Sequence, residues 1–256
     1  MKTLACFFTS SVGRKFLMAA SGGLLFLFVV AHLLGNLQIF LPPEAINSYA
    51  QYLQSHPTLI WPARLILLAL VAIHIWAAIT LTRENRAARP VEYWGRPAPY
   101  GASLASRTMM VSGVAIAAFV IYHLLHYTVV IEGISGARVS LRELKAHHDV
   151  YAMMVAGFSV WYVSLVYIIG VGALCWHLGH GLAAMFQSLG LKNDVYRPCI
   201  DRAARVVALL IFLGYSSIPV AVLAGHGREH LNQTIQRISN RTLPTPQPEA
   251  PNLHHR

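Results

Sequence analysis

Four histidines, His32, His74, His123 and His177, fall one in each of four successive apolar stretches of the chain. An ionisable side chain in hydrocarbon is expensive to keep, so its default reading there is functional. Neutral imidazole is a nitrogen ligand, and four of them make two axial pairs, the donor set of two non-covalent, bis-histidine b-type haems. The bland alternative for any one of them is a hydrogen bond across a helix interface or a place in a polar cavity.

Whether they can pair depends on depth. Counting along a helix at ~1.5 Å per residue, His32 lies ~27 Å from Arg14 and His123 ~24 Å from Arg107. His74 lies ~14 Å before Arg83 and His177 ~15 Å before Gln187. These counts give two levels ~10 Å apart, each with two histidines. Depth does not separate His123 from His126, which follows it by three residues on the same helix face and comes out at ~29 Å. His180 stands in the same relation to His177. His126 and His180 are therefore read as neighbours of the ligands or as contacts for haem propionates. Gly35 and Gly181, each within one turn of a ligand, offer a low ridge beside it. The remaining histidines, His226 and His230 among them, read as solvated surface residues.

The elements that must position these residues are five stretches that approach or exceed the ~20 residues needed to cross hydrocarbon. They are Phe16–Leu41, Trp61–Thr82, Thr108–Ile131, Tyr151–Met185 and Val206–Ala224. The fourth is long for one span and is expected to tilt, or to continue past the membrane through His180 and Phe186. Pro219 is expected to kink the fifth. An odd number of spans puts the termini on opposite sides. With the N-terminus inside, twelve Lys and Arg residues collect on that side against seven on the other, Arg64 aside, so the positive-inside rule places the N-terminus in the cytoplasm. The expected fold is an all-α integral membrane protein, five transmembrane helices bundled around two haems. It divides into that domain, 1–226, and a polar, Pro-rich, outward-facing tail, 227–256, read as disordered. No internal repeat is read.

Composition agrees with a membrane protein: 55% of residues are hydrophobic, 12% are charged and the mean hydropathy is +0.50. A formal net charge of +10 would suggest nucleic acid in a soluble chain; here topology or an acidic docking partner accounts for it, and no nucleic-acid partner is expected. Cys6, Cys175 and Cys199 form neither a CxxC pair nor a CxxCH attachment motif, so no disulfide scaffold, zinc site or covalent haem is implied. The first apolar run is too long for a signal peptide and is read as a retained helix.

Over roughly Gly13 to Ala224 the chain resembles the five-helix, di-haem cytochrome b family that anchors succinate:quinone oxidoreductases, that is, succinate dehydrogenase or fumarate reductase, in the membrane. The residues that carry the resemblance are His32-Leu-Leu-Gly-Asn-Leu37; His74 with Ala78-Ile-Thr-Leu-Thr82 and Asn85-Arg-Ala-Ala-Arg-Pro90; Arg107-Thr-Met with Tyr122-His-Leu-Leu-His-Tyr127; and Asp149-Val-Tyr-Ala-Met-Met154 with His177-Leu-Gly-His-Gly181 and Phe186-Gln-Ser-Leu-Gly190. Singly these motifs are modest; their order and spacing make them specific. The resemblance implies His32 with His123 on a distal haem and His74 with His177 on a proximal one.

It also implies a division of labour. Flavoprotein and iron–sulfur subunits on the cytoplasmic face would handle succinate, and this chain would anchor them in the bacterial cytoplasmic membrane and pass electrons to or from a membrane quinone, menaquinone by resemblance. The chain itself carries no nucleotide-binding glycine loop and no iron–sulfur cysteine motif. Arg83, Arg86, Arg89, Lys192 and Arg197 are candidates for docking the iron–sulfur subunit, with topology alone as the plainer reading. For quinone proton exchange, Glu44 is the first candidate, with His56, Arg64 and Glu132 also on the outer side. A cytochrome b anchor of a hydrogenase or formate dehydrogenase is the alternative within electron transfer, and a small transporter relaying protons through histidines is the alternative outside it.

Overall fold

The computed structural model describes residues 8–88 and 104–242. Among them all regular structure is helical, and five helices are long and apolar enough to cross a membrane. Helix α1 (Ser11–Asn36) starts where the Ser10 hydroxyl accepts from the Gly13 amide at 3.0 Å, satisfying one of the free N–H groups of the first turn. Helix α2 (Pro43–Ser55) and helix α3 (Pro57–Ala87) each begin with proline at the first helical position, where a missing N–H costs nothing. Helix α3 returns to the side on which α1 began.

Helix α4 (Met109–His123) widens at its end into a π turn, Leu124–Val129. Two long cations close that end: Lys145 Nζ donates to the Thr128 carbonyl at 2.7 Å and Arg142 to the Val130 carbonyl at 3.3 Å, meeting carbonyls the helix leaves free. Val130 itself is buried at φ 62, an uncommon conformation for a β-branched residue. After the short α5 (Leu141–Ala146) come α6 (Val150–Phe158), α7 (Trp161–Ser188), α8 (Arg197–Leu223) and α9 (Arg228–Thr242). Pro219 lies inside α8 without ending it.

Two expectations are corrected here. The fourth apolar stretch is not one continuous helix: it breaks at Ser159 and Val160, and the long helix after the break, Trp161–Ser188, runs on through His180 and Phe186. The break is sealed by hydroxyls, with Ser159 Oγ on the Val155 carbonyl and Ser164 Oγ on the Phe158 carbonyl, both at 2.7 Å. The piece cut off, α6, is buried from Tyr151 to Phe158 without interruption, as a helix apolar all round must be. It plugs the end of the bundle opposite the start of α1, packed against α2, α5, α7, α8 and α9.

The stretch 227–256 does not begin as a disordered tail either. Residues 228–242 form α9, whose Leu231 is buried and whose Ile235 and Ile238 pack on the same core. Apolar residues at i, i+4 and i+7 make one apolar stripe on an otherwise polar helix. The chain turns into α9 at Gly227, where φ is +76 and a Cβ would stand 2.6 Å from Val155, so only glycine fits. Residues 243–256 lie outside the described residues, as does Arg89.

Within the bundle α1 packs on α3, α7 and α8, and α7 packs on α4 and α8. The helix pairs α1 with α4 and α3 with α7 are not closely packed. Those two separations hold the histidines.

Candidate functional site: two facing histidine pairs

Helices α1 and α4 run away from the N-terminal side and α3 and α7 run back, so each of the four contributes one imidazole to the interior. His74 and His177 face each other with ring centroids 6.4 Å apart and planes at 66°. His32 and His123 do so at 5.8 Å and 81°. The His74–His177 pair lies at the level of Ser21 on α1 and Ser112 on α4, and His32 and His123 each follow those serines by eleven residues. The two levels are therefore ~16 Å apart along the helices, not ~10 Å. The shorter value came from counting inward from charged residues that sit at different heights.

In the pair nearer the N-terminal side, both Nδ1 atoms are held. His74 Nδ1 lies 3.2 Å from the Met18 carbonyl and 3.3 Å from Ser21 Oγ. His177 Nδ1 lies 3.0 Å from Ser112 Oγ. The Ser21 hydroxyl donates to the Leu17 carbonyl at 2.7 Å and the Ser112 hydroxyl to the Met109 carbonyl at 3.0 Å. Each hydroxyl proton is thus spent on its own helix, leaving a lone pair for the imidazole. Against a carbonyl and a hydroxyl lone pair, Nδ1 must carry the proton, and Nε2 is left as a free donor atom.

The far pair is held by rings. His32 stacks on Phe28 at 5.3 Å and 17° and meets Tyr215 at 6.3 Å; among the described residues it makes no hydrogen bond through either nitrogen. His123 Nδ1 lies 3.3 Å from Tyr167 Oη, which also lies 2.9 Å from His126 Nδ1. His126 is fully buried, its Nε2 is without a partner, and its Cε1 lies near Gly157 of α6. It therefore does not share the face that His123 turns toward His32. The π turn explains this, because wider winding advances fewer degrees per residue and leaves His126 further from the face of His123 than α-helical spacing predicts. His126 is joined to His123 through the Tyr167 hydroxyl.

The other residues singled out by sequence are placed as follows. His180 lies one turn beyond His177, beside the Lys192–Asp201 ion pair. Arg64 is exposed, with its guanidinium 5.2 Å from the Trp61 ring centroid. Glu44 is exposed in the first turn of α2, where a carboxylate complements the helix dipole,. Gly35 faces Tyr49, and Gly181 lies near Met109; the glycines that lie against ligand rings are Gly22, whose Cβ would stand 3.0 Å from His74 Cε1, and Gly113, 3.8 Å from that of His177.

Sequence reasoning missed a polar knot beyond the far pair. Asp149 Oδ1 accepts from Asn47 Nδ2 at 3.0 Å and from the Ala152 amide at 2.9 Å, and Oδ2 accepts from Thr234 Oγ1 and faces His230 Nε2, both at 2.9 Å. Burial by itself would raise this carboxyl's pKa; the hydrogen bonds from Ala152, Asn47, His230 and Thr234 outweigh it and hold the group below its ordinary value. His226 Nε2 meets the Ile39 carbonyl at 2.9 Å and Tyr151 Oη at 3.3 Å. His226 and His230 are thus ties of the helical cap, not solvated surface residues. An aspartate immediately before an apolar helix was the available signal, as an N-cap.

A single metal between two imidazoles, with metal–nitrogen bonds of about 2.0 Å and ~1.1 Å from nitrogen to ring centre, puts the centroids ~6.2 Å apart. The separations 6.4 and 5.8 Å bracket that value. Among the described residues no three His, Cys, Asp or Glu side chains converge; these imidazoles come in twos. No family model, curated protein or solved structure matches the chain. The likeness to succinate:quinone oxidoreductase anchors rests on the sequence motifs.

Proposed function

We propose that this chain is the di-haem cytochrome b anchor of a succinate:quinone oxidoreductase in a bacterial cytoplasmic membrane, with the start of α1 on the cytoplasmic side. The observation that carries the reading is the pair of facing imidazole couples on helices that do not otherwise pack closely, with both Nδ1 atoms of one couple committed elsewhere. His74 with His177 would hold one haem b and His32 with His123 the other. Bound there, haem supplies reversible one-electron iron chemistry.

The chain's own residues orient the rings through Met18, Ser21, Ser112 and Tyr167. They also keep the interior dry, through apolar spans and the α6 plug. On the N-terminal side Arg83 and Arg86 are exposed, while Arg14, Lys192 and Arg197 are paired with Glu84, Asp201 and Asp194. Arg83 and Arg86 thus offer free charge to an iron–sulfur subunit, and the flavoprotein would bind beyond it. Electrons leaving the far pair would meet quinone, of menaquinone type, at the outer end, where Glu44 would exchange the proton.

The test is extraction of the chain with its partners in mild detergent. Two non-covalent haems per chain, a flavin-bearing partner and haem reduction by succinate are expected, and His74→Ala or His177→Ala should remove one haem. A wild-type stoichiometry of one or none would refute the haem assignment, and a flavin-free hydrogenase or formate dehydrogenase partner would refute the anchor assignment.

A further inference from the structure

The two serines that hold His74 and His177 occupy the same position in two copies of one segment. Met18-Ala-Ala-Ser21-Gly22 on α1 and Met109-Met-Val-Ser112-Gly113 on α4 share Met-x-x-Ser-Gly. In both, phenylalanine follows the serine by seven residues (Phe28, Phe119) and histidine by eleven (His32, His123). Periodicity alone hides this repeat, because the residues between are interchangeable apolar ones.

The geometry repeats as well. In each copy the serine Oγ donates to a carbonyl of its own helix and lies against Nδ1 of the histidine on the antiparallel partner helix, Ser21 on His74 of α3 and Ser112 on His177 of α7. In the first copy the Met18 carbonyl, three residues before the serine, is a second acceptor for that nitrogen at 3.2 Å. The glycine that follows faces the Cε1 of the same ring. At the other end, each phenylalanine meets the histidine of its own helix, Phe28 with His32 and Phe119 with His123. Hairpin α1–α3 and hairpin α4–α7 are thus two versions of one device. They differ where the far pair is anchored: His123 has the Tyr167 hydroxyl and His32 has none.

We propose that Ser21 and Ser112 are matched positioning residues that fix His74 and His177 as Nδ1–H tautomers and strengthen them as Nε2 donors toward a metal bound between them. The proposal rests on the di-haem reading above. An Nδ1–H donated to an oxygen acceptor pushes electron density onto Nε2 and favours the more oxidised metal. Removing the serine oxygen leaves His74 with the Met18 carbonyl at 3.2 Å but takes from His177 its hydrogen-bonded oxygen, so either alanine should raise the midpoint potential of the iron held by this pair, Ser112→Ala by more. Of the four paired histidines Tyr167 bonds only His123, besides His126, so its removal should move the other iron.

The experiment uses the intact detergent-solubilised complex with Ser21→Ala, Ser112→Ala, the double variant, Ser21→Thr, Ser112→Thr and Tyr167→Phe. Haem per chain, potentiometric titration and low-temperature EPR of the ferric state are measured. Haem content is expected to stay at the wild-type value. The two alanine variants should shift one and the same haem upward, the double variant should shift it further, and Thr should restore it by returning a hydroxyl. Tyr167→Phe should shift only the other haem. Ser217→Ala, which removes a hydroxyl bonded only to its own helix at Gly214, controls for helix perturbation and should shift neither. Two wild-type haems whose potentials ignore both alanine variants would overturn the serine role and leave the haem reading intact. So would a shift falling on different haems for the two serines, or a loss of haem that Thr does not restore. A wild type without two haems would overturn the haem reading and this proposal with it.

Discussion

Asp149 joins α2, α6 and α9 through one carboxylate, and Asp149→Asn separates its charge from its shape. The amide replaces one oxygen by an NH2 group, and each carboxylate oxygen faces two groups, Asn47 and Ala152 at Oδ1, Thr234 and His230 at Oδ2. Keeping the α6 cap turns the NH2 toward Thr234 and His230, where it can donate to the hydroxyl and to an unprotonated Nε2, so both bonds to α9 lose their charge assistance. Hydrogen bonds to a charged group contribute about 1.5–3 kcal/mol each against about 0.5–1.5 kcal/mol for neutral ones, which puts the loss at about 2–3 kcal/mol. The Asp149 side chain is 12% exposed, so water recovers little of it. Unchanged on α9 is the apolar stripe Leu231, Ile235 and Ile238. At 1.4 kcal/mol per decade, amide exchange in α9 should accelerate by roughly thirty- to a hundredfold, with α7 amides unchanged.

Acid should mimic the mutation. Because Asp149 is held below its ordinary pKa despite its burial, its stabilisation is complete above the unfolded carboxylate's pKa and is lost as pH falls through the depressed folded value. Protection of α9 should be flat above roughly pH 5 and decline in acid in the wild type; in Asp149→Asn the Asp149-linked decline should be absent. Hydrogen exchange read by mass spectrometry in detergent at several pH values measures both. Equal α9 exchange in the two proteins at neutral pH would refute the reasoning.

Gly170→Ala would place a Cβ 2.3 Å from the Phe119 ring and should cost about 1–3 kcal/mol by overpacking, seen as a lower thermal midpoint in detergent; Gly172→Ala, with Phe212 at 3.7 Å, should be close to neutral. Cys199 is exposed at the start of α8, and with the N-terminal side in the cytoplasm an impermeant thiol reagent should miss it in intact cells but label Gln51→Cys; the reverse pattern would invert the topology. Glu44→Gln should lower quinone-linked turnover several-fold while succinate oxidation with a soluble dye stays unchanged; unaltered quinone turnover would remove Glu44, and Glu132→Gln would then test the outer end.

The sequence by itself determined the five spans and the levels of their histidines. Hydrocarbon imposes a length and a polarity on each crossing helix, and both are local properties that one segment carries. It could not set the distance between levels, because counting starts at loop charges whose height only the packed bundle fixes. It could not separate α6 from α7 either: one apolar run serves a buried plug and a span equally well, and the serine hydroxyls that seal the break show their role only once folded. Composition hid α9, whose three apolar residues matter only because α6 lies beneath them.

The site divides along the same line. Imidazole at a given depth is legible, whereas what holds its second nitrogen is a contact between residues 53 to 65 positions apart, such as Ser21 with His74 and Ser112 with His177. The π turn that sends His126 toward Tyr167 and Gly157 rather than toward His32 is likewise a tertiary outcome. Sequence periodicity assumes α-helical winding, and here the local winding yields to packing against α6 and α7.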